Sequence, residues 1–259
     1  QAARCKRYTN EVLAFSMVKE EELLRATEEI QNLTYRQGEY KIFKVFEPKE
    51  RLIMALPFYD RVVQHMICNA IQPVFENGFY YHSYACRSGK GMHAASDTLY
   101  QWMYETEVKQ GLRMYAFKGD ISKYFASIPH DKLKDENRRY IGDKKALMLM
   151  DDIIDHNGIL PDGVGIPVGN LTSQLFANVY GNKLDKFCKH VLHIPYFVRY
   201  MDDFIILSDD LEQLKEWVKR IEEFLENEML LHINPKSTIL YAGNGIDFAD
   251  ISTMQTTRK

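Results

Sequence analysis

The stretch Tyr196-Phe-Val-Arg-Tyr200-Met201-Asp202-Asp203-Phe204-Ile-Ile-Leu207 constrains this chain more than any other. Apolar and aromatic residues on both sides predict two short strands, with Met-Asp-Asp at the tip of a hairpin. Adjacent carboxylates repel unless a cation, a donor or bulk water compensates them, and alone such a pair reads as a solvated acidic turn. A second segment changes that balance: Met114-Tyr-Ala-Phe117-Lys-Gly-Asp120-Ile121 also runs apolar into a carboxylate. Two strands from distant parts of the chain, each ending in Asp, are what a two-metal phosphoryl-transfer site requires.

The 259 residues suffice for a sizeable core, as one large domain or two packed subdomains. Hydrophobic residues at 46% and charged ones at 27% are globular values, which argues against disorder. No apolar run is long enough to span a bilayer and no signal peptide is visible. Gln1 is not an initiator Met, so a trimmed chain is expected. Cys5, Cys68, Cys86 and Cys188 lack metal-site spacing, which predicts reduced thiols in a cytoplasmic compartment. The net charge of −3 does not advertise nucleic-acid binding, so any such surface needs locally concentrated cations or a basic partner.

In chain order, residues 19–33 carry the pattern of an amphipathic helix. Residues 40–46 and 51–56 flank Glu47-Pro48-Lys49-Glu50 as a hairpin. With Phe46 opposite Arg51, alternation would place Lys44 and Arg51 on one face, suited to a triphosphate; a solvated strand face is the alternative. A helix opening at Pro57 and Asp60 should bury Val63, Ile67, Ala70, Ile71 and Val74. Ser83 to Gly91, with Arg87 and Lys90, precedes a helix over 92–108 and suits a phosphate backbone, although its spacing is not a Walker motif. Further helices are expected over 144–154, after Gln174 (stripe Phe176, Tyr180, Leu184, Phe187, Val191) and over 211–226 (Leu214, Trp217, Ile221, Phe224 inward).

The order of these segments, with Val168-Gly169-Asn-Leu-Thr-Ser173-Gln174, Tyr-Met-Asp-Asp and Asn234-Pro-Lys236-Ser-Thr, resembles the block series of bacterial reverse transcriptases over nearly the whole chain. The resemblance implies an α+β right-hand polymerase fold. Its fingers-like region would cover 1–110 and its palm 111–259, with a small antiparallel sheet packed on helices. It implies an RNA-directed DNA polymerase using two Mg²⁺ ions, or Mn²⁺, with Asp120, Ile121, Asp202 and Asp203 as the metal set. Lys236 would join the carboxylates in catalysis, near the leaving pyrophosphate; an ordinary surface turn is the alternative. Lys44, Arg51, Ile121, Phe125, Val168 and Gly169 would bind the nucleotide. Phe125 would exclude a ribose 2′-hydroxyl, or else be a core residue. Arg87, Lys90, Ser173 and Gln174 would touch nucleic acid.

Val168-Gly169-x-x-x-Ser173-Gln174, in place of the Gln-Gly-x-x-x-Ser-Pro of retroviral and group II intron enzymes, resembles diversity-generating retroelements. That subtype implies error-prone copying of an RNA template from a DNA or RNA primer with deoxynucleoside triphosphates, aided by a small basic helical accessory protein. Gly245-Ile-Asp-Phe248 runs into Ala249-Asp250-Ile251 where the family has a Gly-Tyr pair. The residues that follow are few for a helical thumb, which is expected to be absent or truncated. Rival readings are a reverse transcriptase of phage defence or intron mobility, and a noncatalytic RNA-binding palm scaffold.

Overall fold

In the computed structural model of the protein, residues 2–4, 7–46, 50–248 and 251–253 are described, without the side chains of Arg51 and of 251–253. The chain forms two compact units that interleave along the sequence. Gln1–Gly78 associates with Ile128–Phe176, and Phe79–Ser127 with Ala177–Lys259. The expected division into 1–110 and 111–259 cuts the chain once, whereas each unit recruits a segment distant in sequence.

The first unit begins with helices α1 (Asn10–Met17) and α2 (Lys19–Gln31), then strands β1 (Lys41–Phe46) and β2 (Glu50–Ala55). The hairpin forms where alternation predicts it, but its register is shifted by one: Val45 faces Arg51 and Phe46 faces Glu50. A one-residue shift reverses parity, so the condition for Lys44 and Arg51 to share a face is not met. Lys44 instead pairs with Glu50 at 2.6 Å. Helix α3 (Phe58–Glu76) buries Val63, Ile67 and Ile71 as expected, but leaves Ala70 and Val74 exposed. Phe75 takes the place assigned to Val74, one residue on, and Asp60, Gln64 and Cys68 complete the inward stripe.

The second unit enters with α4 (Met92–Met103), extended by a π turn over Tyr104–Lys109, then β3 (Tyr115–Asp120) and the short α5 (Tyr124–Ser127). The chain returns to the first unit through α6 (His130–Arg138) and α7 (Lys144–Asp155). Helix α7 starts at an Asp143 cap whose carboxylate accepts the Ala146 amide at 2.8 Å. Helix α8 (Leu171–Lys186) buries Phe176, Tyr180 and Leu184, then widens into a π turn over Phe187–Val191. The wider turn moves the stripe by one residue. Cys188 and Leu192 are buried, and Val191 is exposed.

Strands β4 (Tyr196–Tyr200) and β5 (Asp203–Ser208), helix α9 (Leu211–Phe224), and strands β6 (Thr238–Tyr241), β7 (Ile246–Phe248) and β8 (Ile251–Thr253) complete the second unit. Its antiparallel sheet has the order β4-β5-β3-β6, and β7 pairs with β8 as a separate hairpin. Strict alternation sorts the faces. Ala116, Val198, Ile205 and Leu207 pack on Ala95, Leu99 and Met103 of α4. On the other face the Phe204 ring lies 5.8 Å from that of Phe117 and 6.1 Å from that of Phe197. Gly119 is required there: a Cβ at that position would lie 2.3 Å from Cζ of Phe204.

Candidate active site

The register of β3 with β5 sets Asp120 directly opposite Asp203, at the end of the sheet. Directly opposed residues project from the same face, so two carboxylates meet there although 83 positions separate them in sequence. Met201 and Asp202 form the two-residue connection between Tyr200 and Asp203, which are themselves paired. Met201 takes φ +60°, the left-handed region that favours glycine, at a cost of about 1–3 kcal/mol. The turn is held against that strain from two sides. The Ile121 amide donates to the Asp202 carbonyl at 3.1 Å, and Arg199 Nη1 donates to the Met201 carbonyl at 2.9 Å. All three carboxylates are half-buried.

Arg199 itself is wholly buried, on the opposite sheet face from Asp203. Its Nε and Nη2 donate to the two oxygens of Asp185 on α8 at 2.6 and 2.8 Å, and Nη2 also reaches Ser83 Oγ at 3.2 Å. Burial pushes the Asp185 carboxyl up, and the Arg199 charge opposes that shift. Gly181 leaves room for the guanidinium, since a Cβ there would lie 2.6 Å from Nη1. Sequence reasoning missed this pair. An Arg within the apolar run Tyr-Phe-Val-Arg-Tyr did signal a buried charge in need of a partner. Nothing in α8 singled out Asp185.

The segment from Ile233 to Ser237 supports Asp120. The Asn234 amide nitrogen Nδ2 donates to Asp120 Oδ2 at 2.5 Å, the Asn234 backbone N–H to the Asp120 carbonyl at 2.7 Å, and the Asp120 N–H to Ser237 Oγ at 3.0 Å. Lys236, the residue singled out in this block, is exposed, and its own N–H closes the turn on Asn234 Oδ1 at 3.1 Å. Ile121 is buried. Phe125 is half-buried in α5, edge-on to Tyr124 at 5.9 Å; Tyr124 is the core residue, its hydroxyl donating to the Ala177 carbonyl.

Arg87 donates to the carbonyls of Tyr80 and Ser83 and lies over Phe79, so it braces its own loop. Lys90 does likewise, on the Tyr81 carbonyl and 3.4 Å from the centre of the Tyr81 ring.

In the first unit, Val168 accepts the Met54 amide at 3.1 Å, and Asn170 Nδ2 donates to the Tyr40 hydroxyl at 2.8 Å. The Val168–Asn170 segment is thereby tied to the base of the β1–β2 hairpin. Gly169 needs its φ of +119°, and a Cβ would press on the Met54 carbonyl at 3.2 Å. Ser173 is buried and Gln174 half-buried in the first turn of α8. The Arg51 side chain and residues 249–250 lie outside the described residues.

Among the described residues, no group of three or more His, Cys, Asp or Glu is arranged to hold a metal ion by itself. The donor set nevertheless suits Mg²⁺, which keeps most of its water and is held by one or two carboxylates together with substrate phosphates rather than by an all-protein cage. Asp120 opposite Asp203, with Asp202 beside them, supplies that kind of incomplete shell. No helix among the described residues is long and apolar enough to cross a membrane.

This four-stranded antiparallel sheet, packed on α4 and with carboxylates opposed at one end, belongs to a fold that solved structures share. The telomerase of Candida albicans, solved in complex with a TWJ fragment of telomeric RNA, superposes with a TM-score of 0.57 at 13% identity, over 93% of this chain and 48% of that one. The apo telomerase of Candida tropicalis gives 0.63 at 13% identity, over 83% and 46%. The match of residues 44–249 to the family model described as "Reverse transcriptase (RNA-dependent DNA polymerase)" is decisive, and the chain belongs to that family. Among curated relatives, Protein YkfC of Escherichia coli is 25% identical, over 73% of this chain and 59% of its own length. An uncharacterized 91 kDa protein in the cob intron of Schizosaccharomyces pombe is 29% identical over 51% and 16%. The putative COX1/OXI3 intron 2 protein of Saccharomyces cerevisiae is 23% identical over 73% and 29%. The chain thus spans 59% or less of the length of each of these three relatives.

Proposed function

We propose that the chain is an RNA-directed DNA polymerase, extending a DNA or RNA primer on an RNA template with deoxynucleoside triphosphates. The observation that carries the reading is Asp120 held opposite Asp203 beside the braced Met201-Asp202 turn. Asp120, Asp202 and Asp203, with Ile121 beside them, would hold two Mg²⁺ ions, for which Mn²⁺ is the substitute. Such ions lower the pKa of a primer hydroxyl and neutralise a departing pyrophosphate. Lys236 is proposed to attend the pyrophosphate; Lys44, Arg51, Phe125, Val168 and Gly169 to bind the nucleotide; and Arg87, Lys90, Ser173 and Gln174 to meet nucleic acid. The names fingers for 1–110 and palm for 111–259 belong to the same proposal, as does a cytoplasmic location.

Within the family, Val168-Gly169-x-x-x-Ser173-Gln174 favours the bacterial diversity-generating type, with a small basic helical protein as accessory. Val168 offers only a branched hydrocarbon where Gln-Gly relatives have an amide. One hydrogen bond is worth about 0.5–1.5 kcal/mol, a several-fold effect on discrimination. A second reading, intron mobility, draws on the two intron-encoded relatives.

The test is primer extension on an RNA template with Mg²⁺, followed by sequencing of the product. The parent should extend and Asp120→Asn should not, because a carboxamide is nearly isosteric but a poor Mg²⁺ ligand. Extension by Asp120→Asn at the parent rate would end the polymerase reading. Errors concentrated opposite template adenines support the diversifying type, and uniformly low error points to the intron type.

A further inference from the structure

The turn Asn234-Pro235-Lys236-Ser237 is bonded to Asp120 more tightly than the closure of a sheet edge requires. β3 and β6 already pair from Tyr115–Tyr241 to Lys118–Thr238, and the bridge between Ile121 and Ile233 extends the contact. Two side-chain bonds are added to this ladder, Asn234 Nδ2 to Asp120 Oδ2 and the Asp120 N–H to Ser237 Oγ. The Asn234 amide cannot turn over without loss. Its Oδ1 accepts the Lys236 N–H at 3.1 Å, which leaves Nδ2 as the end directed at the carboxylate. The backbone of the same residue is committed as well: its N–H donates to the Asp120 carbonyl and its C=O accepts the Ser237 N–H at 2.8 Å. Pro235 pre-sets the turn by fixing its own φ.

We propose that Asn234 is a positioning residue for the metal-binding carboxylate. Its amide engages one oxygen of Asp120 and fixes the plane of the carboxylate, so that the group is set for a cation before one arrives. A carboxylate on a free rotor has to be ordered at each binding event, and a carboxylate already hydrogen-bonded does not. Loss of such a supporting contact typically weakens metal affinity or activity about 10–100-fold. The proposal rests on the polymerase reading of Asp120 and adds to it a residue whose side chain was given no role of its own.

The experiment compares the parent chain with Asn234→Ser and Asn234→Ala. Serine keeps an oxygen near the Lys236 N–H but is too short to reach Asp120; alanine loses both contacts. Each protein is assembled with an RNA template, a 3′-deoxy-terminated primer and the next deoxynucleoside triphosphate, and is titrated with Mn²⁺ followed by electron paramagnetic resonance. In parallel, the Mg²⁺ concentration for half-maximal extension of an ordinary primer and the thermal midpoint are measured. The expected result for Asn234→Ser is Mn²⁺ binding weakened about tenfold or more. A matching rise in the Mg²⁺ requirement should accompany it, with unchanged affinity for primer–template and a thermal midpoint close to the parent's. Unchanged Mn²⁺ binding and Mg²⁺ requirement in a folded variant would overturn the proposal while leaving the polymerase reading intact. Failure of both variants to fold would also overturn it, making Asn234 a structural turn residue. A parent complex that neither binds Mn²⁺ nor extends a primer would remove the polymerase reading, and this inference with it.

Discussion

Replacing Asp185 by leucine strands the Arg199 guanidinium in the interior of the second unit. Both side chains are wholly buried, and Asp185 supplies two of the four contacts that satisfy Arg199; Met201 and Ser83 supply the others. Removing one partner of a buried pair costs about 3–5 kcal/mol. That is a large fraction of a net folding stability of about 5–15 kcal/mol. The paired replacement Asp185→Leu with Arg199→Met behaves differently. Exchanging a buried ion pair for apolar side chains of similar volume is neutral or stabilising by about 1–4 kcal/mol. Against that gain, the Met201 carbonyl loses its donor, at about 1–3 kcal/mol. The two terms nearly cancel, so the double variant should lie within about 2 kcal/mol of the parent and be clearly more stable than Asp185→Leu alone. Urea unfolding of the three proteins measures this, with the midpoint moving at constant slope. Primer extension should not recover with stability, because the donor that restrains the strained turn is gone in the double variant. A single variant that loses less than about 1 kcal/mol would show the pair to be solvated. A double variant that extends at the parent rate would show that Arg199 has no part in holding the Met201-Asp202 turn.

Phe125→Ala should raise incorporation of ribonucleotides relative to deoxynucleotides in a primer-extension competition; an unmoved ratio would make Phe125 a packing residue. Gly119→Ala should destabilise the second unit by about 1–3 kcal/mol through overpacking against Phe204. Thermal unfolding reads that loss, and a second change, Phe204→Leu, should recover part of it. His82, among Tyr80, Tyr81, Tyr84 and Trp102, is held neutral down to about 4 by burial and by the charges of Lys90 and Lys189. The unfolded chain takes up that proton near 6.5, so the contribution of His82 is complete above 6.5 and is lost as pH falls towards 4. His82→Gln should flatten the stability profile in that window, and an unchanged slope between pH 6.5 and 4 would refute the assignment.

Local pattern alone determined a good deal of this protein. Alternation of apolar residues into Asp120 and around Met201-Asp202-Asp203 made the three strands β3, β4 and β5 legible, with an aspartate at the end of β3 and two at the hairpin tip, because that pattern depends only on residues adjacent in sequence. The helices over α2, α7 and α9 were legible for the same reason. Tertiary structure decided what depends on partners remote in sequence. The β1–β2 register differs by one residue from the expectation, since a hairpin's register is set by its turn and by what each face meets. The burial of Phe75 in place of Val74, and the shift at the π turn of α8, follow from which side of a helix finds a neighbour. The supports of the Met201-Asp202 turn and of Asp120 lay furthest beyond sequence reasoning. Arg199 with Asp185, and Asn234 with Asp120, are polar side chains whose meaning lies in a single contact across 14 and 114 positions. Periodicity reports which face of an element is buried; it does not report which polar group waits there.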